Sequence, residues 1–193
     1  MPSTAYRQWR TVRARALNDI ARARDLAAGA AGGRRARNQQ IIQSYTVLLA
    51  SHFQGFCRDL HTECIDPIMR VLAPPPTLEL LLRLELTRGR QLDRGNAQPS
   101  SLGADFGRLG IRFWNALHAQ DPASVAWQQD LELLNEWRNA IAHQDFTSPT
   151  LGGTINLRLV QVRQWRSSCS GLARTIDEVL RRHMQSLTGS SPW

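Results

Sequence analysis

The stretch Leu131–Phe146 reads LELLNEWRNAIAHQDF and concentrates the residue types best suited to chemistry in this chain. At 100° per residue, Leu133, Leu134, Trp137, Ala140 and Ile141 gather on one side of a helix as a core stripe. Arg138, Asn139 and His143 fall outside that stripe. Asn139 and His143 are four residues apart, so they stand one above the other and could hydrogen-bond. Glu136, seven residues before His143, shares roughly the same face. Arg138 lies further round, yet its long stem can carry the guanidinium back toward the imidazole. One segment of helix thus presents a permanent cation, an amide and a group that titrates near neutrality. That set suits phosphodiester chemistry without a metal. The imidazole moves a proton, for about 10²–10⁴ in rate, and the guanidinium holds phosphate oxygens while charge gathers on them. The plainer alternative is a solvated helix end whose Arg and His complement the helix dipole.

The elements that must position these residues read as helices almost throughout. Trp9, Val12, Ala16, Ile20, Ala23 and Ala27 recur at helical spacing in a first, basic helix over about 4–29, which Gly29, Gly32 and Gly33 end. Arg34, Arg35 and Arg37 fall in the turn that follows. A second helix, from about Asn38 to about Leu72, carries the strongest apolar pattern: Ile42, Tyr45, Leu49, Phe53, Phe56 and Leu60. Pro67 is a potential kink or break in it, and Pro74-Pro75-Pro76 stops it. Thr77 is a candidate cap for a third helix over Leu78–Gln91. Residues 94–104 have the composition of a mobile loop, followed by a helix around Phe106–Ala119.

Asp121-Pro122 then opens the motif helix, about 122–143, with Asp as cap and Pro at its first position. Ser148–Thr154 reads as a loop, and Thr154–Leu159 alternates weakly, as a short extended piece would. The last helix carries Val162, Trp165, Cys169, Leu172, Ile176, Val179 and Leu187, and residues 188–193 read as a flexible tail. The whole chain, 1–193, is therefore expected to be one all-α bundle of about five to six helices.

Arg138–His143, R-N-A-I-A-H, resembles the R-x4-6-H signature of the HEPN superfamily in its R-N-x-x-x-H form. The second helix, with SYTVLL leading to SHFQGF over 44–56, is similar to the early helix of RiboL-PSP-like HEPN proteins. Gln54 stands where that pattern usually has Glu, and Gln144 follows His143 where Gly or Tyr is frequent. The resemblance covers roughly residues 5–187, but only the R-N-x-x-x-H element is specific. It implies a helical fold that dimerises, with two motifs facing across a cleft. It also implies a metal-independent endoribonuclease, of the kind common in toxin–antitoxin or antiphage-defence settings. Carried over residue by residue, His143 would be the general acid/base, Arg138 the phosphate clamp and Asn139 the orienting amide. The ribose 2′-OH would attack its own phosphate, with one histidine per copy serving as base or acid. RNA and a second copy are then the expected partners, with an operon-encoded protein as a further one; no cofactor is called for.

Other signals sharpen the alternatives. The 24 basic residues are all arginine, and the formal net charge is +8. Nine arginines against Asp19 and Asp25 put most of that excess in residues 1–37, and the remainder is almost neutral. Polyanions are the natural partners of such a segment, with Arg34, Arg35 and Arg37 as candidate RNA-binding residues. A non-catalytic RNA- or protein-binding helical module using this basic helix is the rival function. Cys57, Cys64 and Cys169 are odd in number and form no C-x-x-C pair, which points to a reducing cytoplasm. Cys57, His61 and Cys64 share a helix face, the start of a metal site but with no fourth ligand, so the expectation is no metal. Trp9, Trp137 and Trp165 fit core stripes. No signal peptide, spanning segment, P-loop or G-x-S-x-G motif is present.

Overall fold

The computed structural model describes residues 1–28 and 34–193; the side chains of residues 25–36 lie outside that description. All regular structure among the described residues is helical. In chain order the helices are α1 (Thr4–Gln8), a π-helical turn (Trp9–Arg13), α2 (Ala14–Ala28), α3 (Arg34–Leu72), α4 (Pro76–Thr87), α5 (Pro99–Gly107), α6 (Phe113–Gln120), α7 (Ser124–His143) and α8 (Leu159–Thr188). No described helix is long and apolar enough to cross a membrane.

The two longest helices, α3 and α8, pack with α7 around one cluster of buried side chains. Tyr45, Leu49, Phe53, Phe56 and Leu60 of α3 meet Trp165, Leu172, Ile176 and Leu180 of α8, all buried, as their i+3/i+4 spacing requires. Pro67 lies inside α3 without ending it.

The N-terminal segment closes over α3. Ser3 caps α1 by accepting from the Tyr6 N–H at 3.0 Å. Glu63 of α3 accepts from the N–H groups of Thr4 and Ala5 at 2.7 and 3.0 Å, which satisfies donors that a helix start leaves open. The π turn then changes which residues face inward. Its extra residue advances the phase, so the buried sequel to Trp9 is Leu17 in place of the expected Ala16, and Val12 is left 66% exposed. Arg13 takes the inward direction between them, lying against Gly55 and pairing with Asp59.

Several expected boundaries move. Helix α3 begins at Arg34, so Arg34, Arg35 and Arg37 form its first turn and are not a preceding loop. Arginine is a good helix former, and the helix starts where the glycines end. Helix α4 starts with Pro76 at its first turn and makes no use of Thr77 as a cap. Residues 99–104 of the expected loop are helical, the first part of α5, with Pro99 at its first turn and Leu102 and Phe106 buried. The helix expected over 106–119 is consequently two elements, separated by a turn in which Gly110 takes φ 79°. The residues before α8 do not form a strand. At the C-terminus, Pro192 is buried and its carbonyl accepts from Arg70 at 2.7 Å, so the end of the chain is docked on α3.

Candidate functional site at the end of α7

Helix α7 begins a turn later than Asp121-Pro122, but Asp121 still contributes by accepting from the Ala123 N–H at 3.1 Å. Its inner face, Leu131, Leu134, Trp137 and Ala140, is buried as the spacing requires. Asn135 is buried too, a polar residue on a core face that must be satisfied. Its Nδ2 donates to the Leu131 and Ala97 carbonyls, at 2.9 and 3.0 Å. That bond fastens the 96–97 turn against α7 and brings Asn96 over the motif.

The helix stops at Gln144, which takes a left-handed conformation with φ 54° and ψ 33°. The Asp145 N–H then bonds back to the Ala140 carbonyl at 3.0 Å, closing the helix end. Glycine adopts this conformation freely, which gives a physical reason for glycine after the histidine in the family pattern. Gln144 offsets part of that strain by donating its Nε2 to the Ile141 carbonyl at 2.7 Å.

The chain after Gln144 folds back along α7. Asp145 Oδ1 accepts from the Thr147 N–H and Oγ1 at 3.0 and 2.7 Å. These bonds, helped by the nearby His143 charge, hold the Asp145 carboxyl below its ordinary value. Thr150 Oγ1 donates to Glu136 Oε2, tying the loop to the helix one element earlier. A cleft of about 350 Å³ results, lined by Glu136, Asn139, Ala140, His143, Asp145, Thr147 and Ser148. On the other side of the helix end a hollow of about 710 Å³ runs between α3 and α7, floored by Val47, Leu48 and Ile141 and edged by Gln40, Gln43, Ser44 and Gln144.

The three motif residues share this end of α7 but not one hydrogen-bond network. Asn139 Oδ1 accepts from Asn96 Nδ2 at 2.6 Å and from an Arg138 guanidinium nitrogen at 3.2 Å. The anticipated bond between Asn139 and His143 is not made; the amide oxygen turns to Asn96 and Arg138 instead. Arg138 likewise reaches Asn139 instead of the imidazole, and it is not part of the cleft lining. Two donors on Oδ1 fix the amide's orientation and leave its N–H groups for the cleft. His143 is exposed at the cleft wall. The cleft thus brings together Glu136, Asn139 and His143, with Arg138 at its margin.

Asn96 and Asn135 are the site residues that sequence reasoning missed. Nothing local marks them, since their partners lie 43 and 38 residues away. Of the candidate RNA-binding arginines, Arg37 is exposed one turn before Gln40 of the second hollow, whereas the side chains of Arg34 and Arg35 are outside the described residues.

Gln54 has a structural role. Its Nε2 donates to the Leu92 carbonyl at 2.8 Å, a bond that an ionised Glu at this position could not make. Cys57, His61 and Cys64 are all buried, and both His61 nitrogens are engaged: Nε2 with the Asp105 carbonyl at 3.0 Å, Nδ1 with Arg90 at 3.4 Å. The imidazole therefore has no free nitrogen for a metal. Burial pushes the Cys57 and Cys64 thiols well up, which keeps them protonated. His118 and His183 are also occupied, with Gln128 and the Leu109 carbonyl. No protein-family model, curated protein or solved structure matches the chain.

Proposed function

We propose that this chain is a metal-independent endoribonuclease whose reaction takes place at the α7 cleft. One observation carries the reading: His143 stands exposed in a cleft with Glu136 and with Asn139, whose amide is pinned by Asn96 and by Arg138 of the same R-N-x-x-x-H segment. A solvated helix end has no need of a buried-side clamp on its neighbouring amide.

In this reading a ribose 2′-OH attacks the adjacent phosphorus, and the bond to the 5′-oxygen breaks. Glu136 and His143 are two turns apart, about 10.5 Å along the axis, so they can bracket one phosphodiester. Glu136 accepts the 2′-OH proton and His143 delivers one to the departing 5′-oxygen, leaving a 2′,3′-cyclic phosphate and a 5′-OH. Arg138 uses one N–H on Asn139 and turns its remaining donors to the phosphate, whose charge rises in the transition state. Base and acid are then both present in a single chain, without the facing copy that the family resemblance implies.

A second reading has its own observation. Arg10, Arg15 and Arg22 line an exposed groove on the N-terminal helices with Asn18 and Asp19, a surface suited to docking RNA without cleaving it.

Incubation of total RNA in EDTA with wild type, Glu136→Gln, Arg138→Ala and His143→Ala separates the two. Cleavage to cyclic-phosphate ends, reduced by at least about 10²-fold in His143→Ala, is expected. Wild-type protein that binds RNA but leaves it intact, or His143→Ala that cleaves at the wild-type rate, refutes the nuclease reading.

A further inference from the structure

Helix α4 stands out among the described elements, because its sequence and its placement disagree. Six of its twelve residues are leucine, yet none of its residues is buried. It is held to the body by polar ties. Arg83 pairs with Asp66 of α3 at 2.7 Å, and Arg108, after α5, donates to the Glu85 and Arg88 carbonyls at 2.7 and 2.6 Å. At 100° per residue, Thr77, Leu81, Leu84 and Arg88 form the line of the helix opposite Glu79 and Arg83, with Leu78 and Leu80 on its flanks. Those four leucines are 46–59% exposed, and Val71 and Leu72 at the adjoining end of α3 are 57% and 56% exposed. A hollow of about 440 Å³ opens on the line itself, beside Leu81 and Leu84. A helix of twelve residues is marginal in water on its own, and helices in proteins owe most of their stability to packing an apolar face. This one presents that face outward.

We infer that the α4 face is the contact between two copies of this chain, joined antiparallel about a two-fold axis near Leu81 and Leu84. Three features favour a second copy. First, the line is self-complementary: turned end for end about its middle, it sets Leu81 against the partner's Leu84 and Thr77 against the partner's Arg88. Second, the charges beside it are already matched within the chain, Arg83 with Glu79 and Asp66 and Arg88 with Glu85. Arg83 and Arg88 balance Glu79 and Glu85, so the helix carries no net charge to favour anionic lipid, RNA or a basic partner, and a copy of itself requires none. Third, six half-exposed aliphatic side chains amount to on the order of 600 Å² per copy. Doubled, that reaches the roughly 1,200 Å² at which specific interfaces begin.

The inference is independent of the ribonuclease reading. Helix α3 runs from the second hollow beside the motif, at Ser44, to its end at Leu72, shortly before α4, a distance of roughly 40 Å along its axis. A pair joined through α4 leaves both His143 clefts open at its outer ends.

The test is sedimentation equilibrium on the full chain, with wild type, the double variant Leu81→Glu/Leu84→Glu, and Leu84→Cys. Wild type is expected to run at twice the chain mass at about 10 µM. The double variant is expected to be monomeric, its dissociation constant raised at least about 100-fold. Its far-UV circular dichroism should be near wild type, since both leucines are exposed. Leu84→Cys should form a covalent pair under mild oxidation, because the three native cysteines are buried. Wild type that stays monomeric to about 100 µM overturns the inference, including where it sediments with lipid vesicles instead. So does a dimer that survives the double substitution, which would place the contact elsewhere.

Discussion

His61 gives this fold a pH limit that can be worked from its contacts. It is fully buried on α3, beside Arg90 after α4 and Asp105, Phe106 and Arg108 at α5, and Arg90 is itself held by Asp93 and Thr62. The Asp105 carbonyl can only accept, so Nε2 carries the proton; the Arg90 guanidinium can only donate, so Nδ1 is bare. Charging the ring would place an imidazolium against a buried guanidinium. Burial first, and the Arg90 charge second, lower its pKa from 6.5 to about 4. A depressed folded-state value means that the unfolded chain binds a proton the folded chain refuses. The contribution is therefore complete above pH 6.5 and is lost as pH falls toward 4. Two and a half pKa units correspond to about 3 kcal/mol, of which about 2.5 kcal/mol is already lost at pH 4.5. Asp177, whose carboxyl burial raises, works in the opposite sense over the lower part of that range.

The comparison is thus between wild type and His61→Gln, whose amide can donate toward Asp105 and accept from Arg90 without titrating. Urea unfolding at pH 7.5 and 4.5 should show wild type losing about 2 kcal/mol more than the variant between the two conditions. Equal losses in the two proteins would falsify the assignment of a neutral, proton-refusing His61.

Two substitutions probe the packing around the site-bearing helices. Gln54→Glu replaces the donor on the Leu92 carbonyl by a carboxylate and should cost about 1–3 kcal/mol at pH 7.5. The deficit relative to wild type should shrink at pH 5 as the new carboxyl regains a proton; a pH-independent deficit would contradict the bond's role. Gly171→Ala places a Cβ 2.7 Å from the Trp127 ring, at the face where α8 meets α7. Overpacking of about 1–3 kcal/mol outweighs the gain of about 1 kcal/mol from alanine in a helix, so thermal unfolding should fall by several degrees with an altered tryptophan emission. An unchanged or raised melting temperature would show that Trp127 yields freely.

The framework helices were legible because each buries a stripe wide enough for its period to show. The 39 residues of α3 and the 30 of α8 repeat theirs many times over. What escaped was whatever depends on one residue or on a distant partner. A single extra residue in the π turn at Trp9–Arg13 exchanges Ala16 for Leu17 in the core, and no composition signal announces it. Helix α5 hid behind a Pro-Ser-Ser-Leu-Gly sequence that suits a loop. Its Gly103 instead lies against the Trp114 ring, with space there for a Cβ only at 3.4 Å. Gln54 could be marked as a departure from a family pattern but not explained, because its partner Leu92 is 38 residues on.

The candidate site divides along the same line. The 3.6-residue period alone places Glu136, Asn139 and His143 on one face, and the cleft contains all three. The direction of each polar head is settled by other segments. Asn135, buried one turn before Asn139 on α7, holds the 96–97 turn in place, and that turn supplies the Asn96 donor that turns Asn139 and, through it, draws Arg138 away from His143. Thr150, beyond the helix, does the same for Glu136. In a six-residue motif only the spacing is local. The orientation that decides between a proton-transfer site and an ornamented helix end is imposed from outside it. Asn96→Ala, which alters neither Glu136 nor His143, is therefore the substitution that separates a spacing effect from an orientation effect in any cleavage assay.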